Sequence, residues 1–142
     1  AAMFGALAWY RTEYAVLFQL MMAGSLAAAT ADTLSSELGT VYGKRFYDII
    51  SFKRVKAGPD GVVSLEGTLI GAAGAVLIAL VYLLGNGFTI TGLMIVAAGI
   101  IGNLAAYVLG ATLERKGFIG NNTVNFLNTL TGALICLGCG WL

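Results

Sequence analysis

The sequence predicts an all-α fold, a polytopic transmembrane helical bundle with four full spans plus an N-terminal partial helix, forming a single integral membrane domain over residues 1–142. Hydrophobic residues make up 58% of the chain and charged residues 11%, whereas soluble domains are about 45–50% apolar and about 25% charged. Mean hydropathy is +0.87. These values exclude a soluble domain and a disordered chain. The net charge of +1 provides no basic field, so no nucleic-acid partner is expected.

The individual helices follow from the uncharged runs, because a membrane span needs about 20 mostly apolar residues. Residues 1–10 are apolar but too few, so they predict the end of a helix. The run from 67 to 113 is too long for one helix, and the turn signal at residues 84–87 divides it. The four full spans are therefore expected near residues 14–31, 68–84, 88–112 and 121–142.

The orientation of the bundle follows from the hydrophilic loop at about residues 39–66, which holds five of the eight basic residues. By the positive-inside rule this loop faces the cytoplasm, or the stroma in a plastid. Alternation of the spans then places nearly all polar residues at that face and leaves only Arg11 and Glu13 at the other. Such one-sidedness is expected of an enzyme acting at the membrane surface, and less so of a channel.

The first polar motif, residues 31–39, ends the first full span. Asp32, Ser35 and Ser36 share a helical face by their i, i+3, i+4 spacing, while Glu37 points about 140° away from Asp32. Carboxylates and hydroxyls are the hard oxygen ligands that Mg²⁺ accepts beside substrate phosphates, so the motif predicts a divalent-cation site. The alternative is that Asp32 and Glu37 cap the bundle and pair with lysines of the loop.

The second motif joins basic residues to a turn, in the stretch 53–68. The turn sequence at residues 58–61 allows backbone N–H groups to converge as an anion nest. Ser64 is a plausible N-cap of the next helix, whose N-terminus would favour phosphate. The predicted phosphate-binding residues are Lys53, Arg54, Lys56, Gly58, Gly61 and Ser64. The alternative is a positive-inside loop that contacts anionic lipid headgroups.

The third motif is a series of amides at the start of the last span. Asn121, Asn125 and Asn128 share a helical face. Such residues often form interhelical hydrogen bonds in membranes, and recognition of a phosphate, sugar or base is the functional alternative. Small residues recur every four positions at Gly67 and Gly71 and again over residues 102–110, which predicts close helix packing.

The reaction class follows from what these motifs contain and lack. The chain has no histidine and no Gly-x-Ser-x-Gly elbow, so acyl transfer has little support. Oxygen ligands, clustered cations and anion nests favour phosphoryl or nucleotidyl transfer, in which a protein mainly positions phosphates and neutralises charge.

Taken together, the three motifs resemble the phytyl-phosphate kinase family, integral membrane prenyl-phosphate kinases of cyanobacteria and plastids that were formerly a domain of unknown function. The matching stretches are residues 31–39 with 42–44, residues 58–68 and residues 121–125, and the resemblance covers most of residues 28–135. It implies CTP-dependent phosphorylation of an isoprenoid monophosphate, phytyl phosphate to phytyl diphosphate, in tocopherol biosynthesis. The implied cofactors are Mg²⁺ and CTP as phosphate donor.

The resemblance also implies where the protein acts and which residues carry its chemistry. The setting is a cyanobacterial membrane or a plastid envelope or thylakoid, with the lipid bilayer, the prenyl phosphate and the nucleoside triphosphate as partners. Asp32, Glu37 and Glu66 become catalytic residues. The same three with Ser36 become metal ligands, and Asn122 and Asn125 become contacts to the nucleotide or the prenyl phosphate.

One position departs from the family pattern. Where the family carries an acid followed by Ser, this chain has Ala106 and Tyr107. An acidic metal ligand would then be missing. This keeps open a second interpretation, a catalytically impaired family member that acts as a structural subunit of a larger membrane complex, with other membrane proteins as partners.

Overall fold

The computed structural model describes residues 1–58 and 60–139, with the side chain of residue 139 left out, and its framework is helical. The short α1 is joined to α2 by a 3₁₀ turn at Thr12–Tyr14, and α4 continues into a π-helical turn at Gly110–Glu114. The five helices are α1 (Ala2–Tyr10), α2 (Ala15–Tyr42), α3 (Leu65–Asn86), α4 (Thr91–Leu109) and α5 (Asn121–Cys139).

Three continuous helical segments in the described part of the chain are long and apolar enough to cross a membrane: Thr12–Tyr42, Leu65–Asn86 and Thr91–Glu114. They correspond to the first three predicted spans, and α1 corresponds to the predicted partial helix. The predicted count of four full spans is not confirmed. The fourth segment, α5, is a helix, but its first half is interrupted by asparagines and threonines, which lower its apolar content.

Helix α2 is the centre of the bundle, because it contacts α1, α3, α4 and α5, while α4 bridges α3 and α5. Small residues allow these contacts. A Cβ on Gly71 would lie 2.6 Å from the carbonyl oxygen of Ala31, and one on Gly24 would lie 2.6 Å from that of Gly132. The predicted packing function of the Gly67 and Gly71 stripe is confirmed, because both glycines face α2.

A three-stranded antiparallel sheet interrupts the predicted all-α fold between α2 and α3. Its strands are β1 (Phe46–Asp48), β2 (Arg54–Val55) and β3 (Val62–Ser64), in the order β2-β1-β3. Strand β1 pairs with both neighbours, with Phe46 opposite Val55 on one side and Ser64 on the other. The sheet was not predicted because strands of two or three residues carry too little hydropathy alternation to be recognised.

The sheet is fastened to the rest of the bundle by Asp48 and Arg115. The buried carboxylate of Asp48 accepts hydrogen bonds from the backbone N–H of Ser51 at 2.9 Å and of Ile50 at 3.1 Å, and it pairs with Arg115 Nη1 at 2.6 Å. The hydrogen bond from Ser51, the arginine and the other donors hold the pKa of Asp48 well below its usual range. Arg115 also donates to the carbonyl oxygen of Asp60, so one guanidinium ties two parts of the loop to the α4–α5 connection.

Candidate functional site

A cavity of about 280 Å³ opens at the end of the bundle that carries the sheet. Its walls come from the last turns of α2, the loop before α3, the end of α4 with its π-helical turn, and the first turns of α5. Asp32, Gly61 and Asn125, one from each predicted motif, line it together. Segments that are far apart in the sequence therefore form one polar site at the boundary between apolar helices and the hydrophilic loop.

The wall from α2 carries most of the first motif. Asp32 is half-buried, and Thr33, Ser36, Glu37 and Thr40 are exposed; all five line the cavity. Residues four positions apart lie on the same face of a helix. The wall is therefore formed by two neighbouring rows of side chains, one at positions 32, 36 and 40 and the other at positions 33 and 37. Asp32 and Glu37 both line the cavity, although they are about 140° apart around the helix axis.

Ser35 lies deeper, at the floor of the cavity, in a buried hydrogen-bond network. Its hydroxyl accepts a hydrogen bond from Tyr107 Oη at 3.0 Å and lies 3.0 Å from Asn103 Oδ1. The same hydroxyl is 3.0 Å from the carbonyl oxygen of Asp32. Since Ala106 and Tyr107 both line the cavity, the departure from the family pattern falls within the site itself, where the tyrosine anchors the α2 wall.

Two further carboxylates line the cavity that were not predicted as site residues, Asp60 in the loop and Glu114 at the end of the π-helical turn. The carboxylate of Glu114 lies close enough to Asp32 and to Asp60 for like-charge repulsion between them. Within the described residues no group of three acidic, histidine or cysteine side chains is placed to hold a metal ion alone. The predicted third span ends near Glu114, at the same membrane face as Asp32, and that position was the available sequence signal.

The loop wall includes the predicted Gly58, Gly61 and Ser64. Both glycines have positive φ, 122° and 76°, a conformation that glycine adopts without strain. Pro59, the remaining residue of the predicted turn, lies outside the described residues. Ser64 is confirmed as the N-cap of α3, because its hydroxyl accepts a hydrogen bond from the backbone N–H of Gly67 at 3.0 Å.

The asparagines of the third motif, on α5, have three different surroundings. Asn121 and Asn125 line the cavity, and the Asn125 amide donates to Asn121 Oδ1 at 2.8 Å. Asn122 is exposed and does not line the cavity. Asn128 is fully buried and donates to the carbonyl oxygen of Ala28 at 3.2 Å. Asn128 thus forms the interhelical hydrogen bond that was the structural interpretation of this motif.

Four other predicted site residues lie apart from the cavity lining. Glu66 stands in the first turn of α3, and its Oε2 accepts from the backbone N–H of Lys44 at 3.5 Å. Lys53, Arg54 and Lys56 are exposed around strand β2. Their assignments, like that of Asn122, stay predictions of the sequence.

The lining determines which ligands the cavity favours. Asp32, Glu37, Asp60 and Glu114 contribute four carboxylates, and no lysine or arginine appears among the described residues that line it. An anion such as a triphosphate would be repelled by such a surface unless a cation accompanied it. The amides of Asn121 and Asn125 add neutral donors. The cavity therefore suits a phosphate group that arrives as a complex with a divalent cation.

Comparison with known proteins identifies relatives over most of the chain. A family model described as integral membrane protein DUF92 matches residues 1–133. An uncharacterized membrane protein of Methanocaldococcus jannaschii is 46% identical over 78% of this chain and 47% of its own length. The chloroplastic protein VTE6 of Arabidopsis thaliana is 35% identical over 87% of this chain and 38% of its own. An uncharacterized membrane protein of Synechocystis is 42% identical over 80% and 45%.

The chain spans less than half the length of these relatives. No solved structure matches it significantly. The resemblance recognised in the sequence, to an integral membrane family with plastid and cyanobacterial members, is confirmed by the family match and by these relatives.

Proposed function

The chain belongs to the DUF92 family of integral membrane proteins, and from that premise we propose that it is a prenyl-phosphate kinase. The reaction is CTP-dependent phosphorylation of an isoprenoid monophosphate, phytyl phosphate to phytyl diphosphate. One observation carries the proposal: a single cavity at the polar end of an apolar bundle joins the three motifs on which the family resemblance rests. A lipid phosphate and a soluble nucleotide can meet only at such a boundary.

The location of the cavity also fits the chemistry of both substrates. The prenyl chain belongs among the apolar helices, while the phosphates belong at the hydrophilic end. By the positive-inside rule, the basic loop beside the cavity faces the cytoplasm or the stroma, where nucleoside triphosphates are made. We include this orientation in the proposal.

The donor set of the cavity fits Mg²⁺, which is usually held by one or two carboxylates together with substrate phosphates and water. Asp32 and Glu114, whose carboxylates repel each other when both are charged, would hold the ion directly. Ser36 and Glu37, on the same wall, would contact it through bound water. Bound Mg²⁺ would neutralise charge on the phosphates. No cluster of three acids is required, because substrate oxygens complete the coordination.

The remaining residues of the cavity position the reacting groups. An oxygen of the acceptor monophosphate forms a bond to the γ-phosphorus, and the bond from that phosphorus to the β–γ bridging oxygen breaks. The bridging oxygen keeps the electron pair and leaves as part of the nucleoside diphosphate. Asn121 and Asn125 donate hydrogen bonds to phosphate oxygens, and the glycine turn at 58 and 61 admits the phosphates close to the backbone.

A thermal-shift experiment on the purified full chain in detergent tests this proposal. We expect CTP with Mg²⁺ to raise the melting temperature, and CTP without Mg²⁺ to have little effect, because the cavity is lined by carboxylates. Asp32→Asn should abolish the Mg²⁺-dependent shift. Glu13→Gln, an exposed acid at the other end of the bundle, is the matched control and should keep it. Equal stabilisation of the wild type by CTP with and without Mg²⁺ would contradict the metal assignment.

The second candidate, a catalytically impaired member that serves as a structural subunit, is favoured by Ala106 and Tyr107 inside the cavity. It predicts no nucleotide-dependent shift and stable association with other membrane proteins. Introducing an acid by Ala106→Asp distinguishes the two candidates. Nucleotide binding that appears only in this variant would indicate an impaired enzyme, whereas binding by the wild type supports the kinase.

A further inference from the structure

The segment from Lys44 to Lys56, called here the basic hairpin, lies beside the cavity and carries its positive charge outside the cavity lining. It holds five basic residues, all exposed, and one acid. That acid, Asp48, is buried and paired with Arg115. Within the described part of the chain, none of the five hairpin cations forms an ion pair or lines the cavity. Their charge is therefore left for a partner outside the bundle.

The turn of the basic hairpin presents large apolar side chains beside these cations. Ile50 is 51% exposed and Phe52 is 76% exposed. The turn that carries them is well defined, because Asp48 accepts hydrogen bonds from the backbone N–H groups of Ile50 and Ser51. Phe52 has φ 55°, an unfavourable conformation for a bulky residue. The fold thus holds the ring of Phe52 outward at the tip of the turn. Exposure of this apolar ring to water is unfavourable, so the tip favours an apolar or interfacial environment.

The position of the basic hairpin identifies its surroundings. It starts two residues after the end of α2 and joins, through β3, to α3, and both helices are long and apolar enough to cross a membrane. If these helices cross the membrane, a segment tethered this closely to both is expected at the bilayer surface. The exposed Phe118, 74% accessible, and Lys116 stand on the α4–α5 connection at the same end of the bundle.

We infer that the basic hairpin binds the anionic headgroups of the surrounding bilayer, with Ile50 and Phe52 inserted in the interfacial region. Cations beside apolar side chains are the pattern of a segment that lies in a charged membrane interface. The sequence left two partners open for Lys53, Arg54 and Lys56, a triphosphate or lipid headgroups. Their exposure outside the cavity and their proximity to Phe52 favour lipid. This inference does not depend on the kinase proposal.

Tryptophan fluorescence in reconstituted full-length protein tests the inference. Phe52→Trp is made in a background with Trp9→Phe and Trp141→Phe, and quenching by brominated lipid is compared in phosphatidylcholine and in phosphatidylcholine mixed with phosphatidylglycerol. We expect several-fold stronger quenching with the anionic lipid. Replacing Lys53, Arg54 and Lys56 by Gln should remove this difference, since each basic residue near an anionic surface favours binding about five-fold.

Phe88→Trp provides a matched control, because Phe88 is also 76% exposed but lies in the uncharged α3–α4 turn at the other end of the bundle. Its quenching should not depend on the lipid charge. Equal quenching of the Phe52→Trp probe in both membranes would overturn the inference. An unchanged lipid effect in the triple Gln variant would also overturn it, because the three cations would then not be the groups that bind the anionic lipid.

Discussion

At the residue scale, the lining of the cavity contains two kinds of side chain. Some could be located from their spacing in the sequence, and others are brought to the cavity only by the tertiary fold. Asp32, Ser36 and Glu37 were found because they lie within two turns of one helix. Asp60 and Glu114 join them from distant segments, and nothing in their own sequence neighbourhoods specifies that approach. Tyr107 was noticed only as a departure from a pattern, and its hydrogen bond to Ser35 depends on how α4 packs against α2.

Gly61 provides a residue-scale prediction. Its φ is 76°, and a Cβ there would overlap Ala111 in the π-helical turn. Gly61→Ala should lower the free energy of unfolding by about 1–3 kcal/mol and weaken nucleotide binding, because the loop would be displaced from the cavity. Melting temperatures in detergent measure the first effect. Gly58 also has positive φ, but a Cβ there meets no atom within 4 Å, so Gly58→Ala should cost less stability than Gly61→Ala.

A second residue-scale prediction concerns pH. Because the pKa of Asp48 is lowered in the folded protein, its ionised form stabilises the hairpin above its unfolded pKa of about 3.9. That contribution is lost as the pH falls through the folded pKa, so the hairpin should loosen only below about pH 4. Amide hydrogen exchange of residues 46–55 measures this. Asp48→Asn should exchange faster at neutral pH and lose the acid dependence; an identical pH profile in both proteins would contradict the account.

At the element scale, helices were predictable and strands were not. Long uncharged runs determine the three spans, since only helices satisfy their backbone groups in lipid. The sheet is held to the bundle by the ion pair between Asp48 and Arg115, which are 67 positions apart in the sequence. A pattern within a short stretch of sequence could not predict it. The last helix was predicted as a full span from its lack of charge, but Asn128 donates to the carbonyl oxygen of Ala28 on α2, and Asn121 and Asn125 line the cavity.

Helix packing gives a prediction at this scale. A Cβ on Gly24 would lie 2.5 Å from Cys136 Sγ and 2.6 Å from the carbonyl oxygen of Gly132. Gly24→Ala should therefore force α2 and α5 apart and destabilise the bundle by about 1–3 kcal/mol. Gly85→Ala, on a helix position with open space around it, is the control and should be neutral or slightly stabilising. Equal melting temperatures for the two variants would show that the close contact is unimportant.

At the scale of the whole molecule, the fold concentrates its polar residues at one end of an apolar bundle. Small residues allow α2, α3, α4 and α5 to pack closely. The ends of α2, α4 and α5, with the loop before α3, enclose a cavity that is lined by four carboxylates and two asparagines. The basic hairpin lies beside the cavity and carries the opposite charge. One loop and the ends of three helices thereby form an acidic pocket, for which we propose a cation-bound phosphate, and a basic surface, for which we infer anionic lipid.

Phosphate transfer by the reconstituted full chain tests the central claim most directly. With labelled CTP, phytyl phosphate and Mg²⁺, the account predicts formation of labelled phytyl diphosphate, reduced more than about 100-fold in Asp32→Asn and retained in Glu13→Gln. Full transfer by the Asp32→Asn protein, or none by the wild type under conditions where it binds CTP with Mg²⁺, would contradict the claim that this cavity is the site of a prenyl-phosphate kinase.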